Sequence, residues 1–224
     1  CYPGAGGMIT EEHYRGWSKV VEAVHAQKSA IFAQLYHPGR VLHPDLTGAF
    51  PIAPSPLPCE GTTRVRGEAK PYAVPREMLP RDIRAVQEQF VHAARIAQRA
   101  GFDGVELHAA NGYLIDQFLR SGSNTRKDAY GGSTLNRSRF LLELLDRVSA
   151  VFPPERIGVK LSLVGRVNSM RERSPLALGR LVLAELRRRG MLYAQLMEAE
   201  SRAFLLADNG HDQIENCARA FRGL

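Results

Sequence analysis

His108, Asn111 and Tyr113 put an imidazole, a carboxamide and a phenol within six positions of one another. Such a trio offers two donors to an oxygen gaining negative charge and a phenol that can release a proton. The residues leading in, Gly104-Val-Glu-Leu-His108, are short and β-prone, and Gly101 and Gly104 punctuate the entry. Polar groups at the C-terminal tip of a buried strand are what a parallel α/β barrel uses to build an active site. One histidine alone would read as a core residue followed by a polar turn; three donors around one bend read as a site. Glu106, two positions before His108, should face the same side and act as an interior partner, not a catalyst.

Four strand-like runs are expected to position these groups: Ala30–Tyr36, Gly104–His108, Arg156–Ser162 and Met191–Met197. Between them lie helical patterns. Thr10 caps the first, whose Trp17, Val20, Val21 and Val24 fall on one face. Ile83, Val86, Phe90, Ala94 and Ala97 mark a second helix over 81–100, and Leu141, Leu145, Val148 and Phe152 a third over 134–152. Ser174-Pro175 opens a fourth that Gly190 closes, and Asp212–Phe221 reads as a last one. Residues 37–79 carry prolines at 38, 44, 51, 54, 56, 58, 71 and 75, so this stretch is expected to be a long irregular loop covering the mouth of the fold, without regular pairing. Arg120 to Ser133 reads as a further polar stretch.

Strands alternating with helices force parallel pairing, which leaves an open doubly wound sheet or a closed barrel. Gln34, His108, Lys160 and Gln195 lie in or at the far ends of the four successive strands. A barrel would converge those ends on one face, whereas an open sheet would spread them along an edge. The sequence has neither a Gly-x-Gly-x-x-Gly nor a P-loop pattern. The expected class is therefore α/β, of the parallel (β/α) TIM-barrel type.

Composition is that of an ordinary globular chain: 224 residues, 44% hydrophobic, one domain over 1–224. The net charge of +7 comes from scattered basic residues; Arg187-Arg-Arg189 is contiguous but falls at a helix end, where cations complement the dipole, so no nucleic-acid partner is expected. Cys1, Cys59 and Cys217 have no metal-type spacing, and their odd count fits a reducing cytoplasm better than a disulfide framework. His37 and His43 lack companion ligands, so no metal site is expected either. No apolar run reaches membrane-spanning length.

Three segments carry a resemblance. Gln34-Leu-Tyr-His-Pro-Gly-Arg40, the run from Gly101-Phe-Asp-Gly-Val-Glu-Leu-His-Ala-Ala-Asn-Gly-Tyr113 through Leu-Ile-Asp-Gln-Phe-Leu119, and Tyr130-Gly-Gly-Ser133 with Asn136-Arg137 and Arg139-Phe140 together resemble the Old Yellow Enzyme family of FMN-dependent ene-reductases. That resemblance implies an eight-stranded (β/α) barrel with FMN at its C-terminal mouth. It implies NADH or NADPH as reductant and a small-molecule enone, or a related activated alkene or nitro compound, as substrate. Gln34 matches the amide at the flavin's pyrimidine edge. Lys160 stands where the family usually carries an arginine beside the flavin, keeping the charge but not the bidentate fork. His108 and Asn111 match the pair that holds the substrate's carbonyl oxygen, His108 also lying against the cofactor, and Tyr113 matches the proton donor. Family strands carrying other FMN contacts would precede Tyr2 and follow Leu224, so the chain is expected to cover about strands 3 to 6 of a barrel.

Other readings stay open at this point. A truncated, inactive family fragment would serve at most as a non-catalytic interaction piece, prone to self-association. An unrelated barrel lyase could use Lys160 as a Schiff-base nucleophile, although it leaves the trio around His108 unexplained.

Overall fold

A computed structural model describes residues 6–197. The elements in chain order are α1 (Glu11–Ala26), β1 (Phe32–Leu35), α2 (Pro44–Thr47), β2 (Ile52–Ala53), β3 (Thr62–Val65), β4 (Glu68–Pro71), β5 (Arg76–Glu77), α3 (Pro80–Arg99), β6 (Gly104–Ala109), α4 (Leu114–Leu119), α5 (Thr134–Val148), β7 (Ile157–Ser162), α6 (Pro175–Arg188) and β8 (Tyr193–Met197). β1, β6, β7 and β8 form one parallel sheet in that order. Among the described residues it is an open arc of a TIM-type barrel, four adjacent strands with helices on the outside. The helix expected at Asp212–Phe221, with Cys1 and Cys217, lies outside the described residues.

Alternation along the strands separates two environments. Val105, Leu107 and Ala109 of β6, with Ile157, Val159 and Leu161 of β7, point outward into the core. There they meet Ile83, Val86, Phe90, Ala94 and Ala97 of α3 and Leu141, Leu145 and Val148 of α5, all buried as their helical spacing predicts. α1 behaves differently. Val21 is buried and Trp17 packs edge-on to Phe102, but Val20 is 42% exposed, so the expected four-residue inward face is only partly used. The α1 N-terminus is capped reciprocally by Thr10 and His13, and Arg99 forks onto Glu11 at 2.7 and 2.8 Å to tie α3 to α1.

Residues 37–79 are not the irregular loop expected. β2 pairs in parallel with β5, and β3 pairs with β4 in an antiparallel hairpin turned by Arg66 and Gly67, both with positive φ. Proline forbids donation, not acceptance: Pro51 O accepts from Arg76 N, and Pro71 closes the end of β4 opposite Thr62. The 120–133 stretch also departs from expectation, because polar does not mean exposed here. Arg120, Ser123, Asn124 and Arg126 are buried. Arg120 donates to the carbonyls of Ser162 and Gly165, and Arg126 to those of Pro54 and Met78, so these guanidiniums bind neighbouring loops together. The basic cluster at the end of α6 is paired as well: Arg189 reaches Asp146 and Glu185.

Candidate active site

Register places the predicted polar residues in layers on the inner face of the arc. His108 of β6, Lys160 of β7 and Gln195 of β8 are direct neighbours. Gln34 lies one layer deeper, level with Glu106, Gly158 and Tyr193. Beneath these, Phe32 lies over Gly104, whose added Cβ would fall 2.2 Å from the Phe32 ring. Phe32 lies beneath the polar groups, its ring centroid 6.3 Å from that of Tyr193 in the Gln34 layer. The four residues singled out by strand position thus share one face, with Gln34 set lower.

At the tip of β6 the chain makes a tight bend. Asn111 and Gly112 both take positive φ, 55° and 74°, which glycine tolerates freely and asparagine better than most residues. Tyr113 N closes the turn onto Ala110 O at 3.2 Å, and Tyr113 then serves as the N-cap residue of α4. The first turn of α4 holds the bend from below: Asp116 accepts the Gly112 N–H at 2.9 Å and Gln117 donates to Gly112 O at 2.7 Å. This turn brings Tyr113 beside His108, ring centroids 4.9 Å apart and perpendicular, and beside Tyr36 at 5.2 Å. Tyr36 is the site neighbour that the sequence reading passed over, although it sits two residues beyond Gln34 on the same side of β1.

His108 is 6% exposed, and its pKa is lowered to about 4, by burial first and by the Lys160 ammonium second, while Glu106 pushes the other way. A neutral ring needs a tautomer. Nδ1 accepts the N–H of Ala110 at 3.3 Å, which puts the proton on Nε2 and makes that atom a donor. Between pH 5.5 and 8, roughly, affinity for a neutral carbonyl ligand should therefore show no step from His108. A step near pH 6.5 that disappears in His108→Ala would show the ring titrating normally. For stability the sign is the usual one for a depressed histidine: the unfolded ring gains its proton below about 6.5, so stability falls from there toward about pH 4.

Arg40 organises the rim. It is 2% exposed and donates to Leu57 O at 3.1 Å and Asn168 O at 2.9 Å, and its backbone N–H reaches Gln117 Oε1. Asn168 in turn donates to Asn111 O at 2.8 Å, so loops after β1 and β7 meet over the Asn111 bend. No spacing in the sequence signals this junction, since Arg40 and Asn168 lie 128 positions apart. Gly39 is essential to it: φ is +58° and a Cβ would fall 2.2 Å from Gln117 Oε1. Gly39→Ala is expected to cost about 1–3 kcal/mol, read as a lowered thermal midpoint; an unchanged midpoint would mean that the loop repacks freely.

Residues 1–217 match the NADH:flavin oxidoreductase / NADH oxidase family. A probable flavin mononucleotide-dependent alkene reductase of Leishmania infantum is 40% identical over 202 residues, covering 87% of this chain and 55% of the relative. The 12-oxophytodienoate reductase 2 of Arabidopsis thaliana is 39% identical over 204 residues, 88% of this chain and 54% of that protein. Among solved structures, morphinone reductase superposes with a TM-score of 0.86 at 38% identity, covering 96% of this chain and 60% of that one. An Old Yellow Enzyme homologue from Zymomonas mobilis gives 0.82 at 35%, over 85% and 54%. The chain spans little more than half the length of these relatives. On these matches the chain belongs to the NADH:flavin oxidoreductase / NADH oxidase family, in its Old Yellow Enzyme branch.

Proposed function

We propose that this chain carries the ring end of an FMN site and the substrate grip of an NAD(P)H-dependent ene-reductase acting on α,β-unsaturated carbonyl or nitro compounds. One observation carries the reading: neutral His108 with its Nε2 proton, the Asn111 bend and Tyr113 cluster at one strand tip, on the same inner face as Gln34 and Lys160. The donor set fits a flavin ring, with an amide for its pyrimidine edge and an ammonium to favour negative charge on the reduced ring. A relative, morphinone reductase, has been solved in complex with tetrahydroNAD.

Bound FMN would supply the hydride chemistry, accepting from the nicotinamide and delivering to the alkene β-carbon. The residues of this chain do the rest. His108 Nε2 and the Asn111 amide donate to the substrate oxygen, drawing electron density from the alkene and holding the charge that develops there. Tyr113 offers its phenolic proton to the α-carbon. The buried arginine junction fixes the bend so that these donors keep their spacing. To test the reading, the FMN-loaded protein is reduced anaerobically with NADH or NADPH and then mixed with an enone. The flavin absorbance should bleach and then return; failure of either step contradicts the proposal.

Open edges favour a second reading. β1 and β8 each have a single described neighbour, and a groove of about 320 Å³ lies beside β1, lined by Gly6–Ile9, Gln34–Pro38 and Phe90. Closure is what removes edges from a barrel. On that ground the 224-residue chain by itself is expected to bind FMN weakly and to associate. A yellow monomer with stoichiometric FMN, by visible spectrum and light scattering, would refute it.

A further inference from the structure

Gln34, Glu106, Gly158 and Tyr193 stand in register across the four strands, one layer beneath His108. Glu106 is 7% exposed, and its Oε1 accepts from Gln34 Nε2 at 2.5 Å. From the opposite side of the layer, the Tyr193 phenol faces the same carboxylate, and burial first and Glu106 second push its pKa up to about 12. Gly158 makes that reach possible: a Cβ there would fall 2.2 Å from Tyr193 Cζ, so the ring lies across a position with no side chain.

This chemistry fixes an orientation. A carboxylate only accepts hydrogen bonds, whereas a carboxamide has one accepting oxygen and one donating NH2. Gln34 must therefore turn its NH2 toward Glu106, whichever way the amide would otherwise rotate. Its carbonyl oxygen and second N–H are left to a ligand. Side by side they make an acceptor–donor edge, complementary to the adjacent N–H and C=O of a cyclic imide.

We propose that Glu106, held by Tyr193, is a positioning residue that locks the Gln34 amide, so that the inner face selects a ring presenting an imide N–H. The inference rests on the FMN reading, in which Gln34 meets the pyrimidine edge of the flavin, and adds the pair that orients it. An amide free to flip would also accept the reversed edge, a ring nitrogen acceptor beside an amino donor. A locked one penalises that reversed edge, because acceptor then faces acceptor and donor faces donor.

Two measurements test this, the first without flavin. In 15N-labelled FMN-free protein, the Gln34 NH2 should give two well-separated proton resonances, one moved downfield by the carboxylate. Glu106→Gln should collapse that separation. If Glu106→Gln does not fold, Tyr193→Phe, which removes the hydroxyl facing Glu106, should move the same resonance measurably. An unmoved Gln34 NH2 pair in the variant that folds overturns the proposal. The second measurement compares FMN, by flavin fluorescence, with an analogue whose pyrimidine edge is reversed, an acceptor ring nitrogen beside an amino group. The parent should prefer FMN by about tenfold, the worth of one hydrogen bond, and Glu106→Gln should bring the two ligands within about threefold. An unchanged preference overturns the ligand half. Intact Gln34 resonances together with no FMN binding in a full-length barrel carrying this segment would sink the flavin reading while supporting the orienting pair.

Discussion

In a full-length barrel carrying this segment, Tyr113→Phe is expected to slow reduction of an enone by about 10²- to 10⁴-fold while leaving reduction of the bound flavin by the nicotinamide unchanged. The asymmetry follows from where the proton is needed. Hydride transfer from the nicotinamide asks for no proton from the protein, whereas the α-carbon of the substrate must receive one. Tyr113 stands at the N-cap of α4 with its ring 4.9 Å from His108 and 5.2 Å from Tyr36, so the phenol to phenyl change leaves the packing surface in place. Stopped-flow absorbance separates the two half-reactions. Equal loss in both would remove Tyr113 from the proton-donor role and assign it to packing.

His108→Ala should lower kcat/KM for the enone by about 10²- to 10³-fold, the usual effect of deleting one donor to a developing oxyanion. Asn111→Ala should do comparable damage by a second route. Asn111 holds a left-handed backbone conformation, which alanine adopts less readily, and its carbonyl is the acceptor for Asn168. Asn111→Gly therefore makes the cleaner comparison: it removes the carboxamide and relieves the backbone. Loss of rate in Asn111→Gly assigns the effect to the amide; recovery relative to Asn111→Ala assigns it to the bend. The double substitution with His108→Ala should fall short of the product of the singles, because both donors serve one oxygen.

Strand tips were legible in the sequence because they obey short-range rules. Val105 and Leu107 alternate with Glu106 and His108, and that alternation places His108 on the inner face whatever the rest of the chain does. Lys160 and Gln195 followed by the same rule from their own strands, and the register sets both beside His108. Gln34 lies level with Glu106, a layer below His108, which was not foreseeable, since register depends on the paired strand and not on β1 itself.

What escaped sequence reading depends on distance along the chain. Arg40, Arg120, Arg126 and Arg137 look like ordinary surface arginines, yet each is buried and donates to backbone carbonyls of other segments. The carbonyls that meet their guanidinium nitrogens come from loops that no local pattern connects, although the Nε of Arg40 and of Arg120 stays buried without a partner among the described residues. The prolines of 37–79 misled for a different reason. Counted as breakers they forbid a sheet; placed at strand ends, as Pro51 and Pro71 are, they supply acceptors and leave two short pairings intact.

A phenol titration of the FMN-loaded protein tests the central claim most directly, because a phenolate oxygen mimics the charge that His108 and Asn111 are held to receive. The account predicts a long-wavelength charge-transfer band that grows to saturation in the parent and is abolished when His108→Ala and Asn111→Gly are combined. A band that persists at unchanged affinity in that variant would show that the anion is held elsewhere, and the strand-tip site would have to be given up.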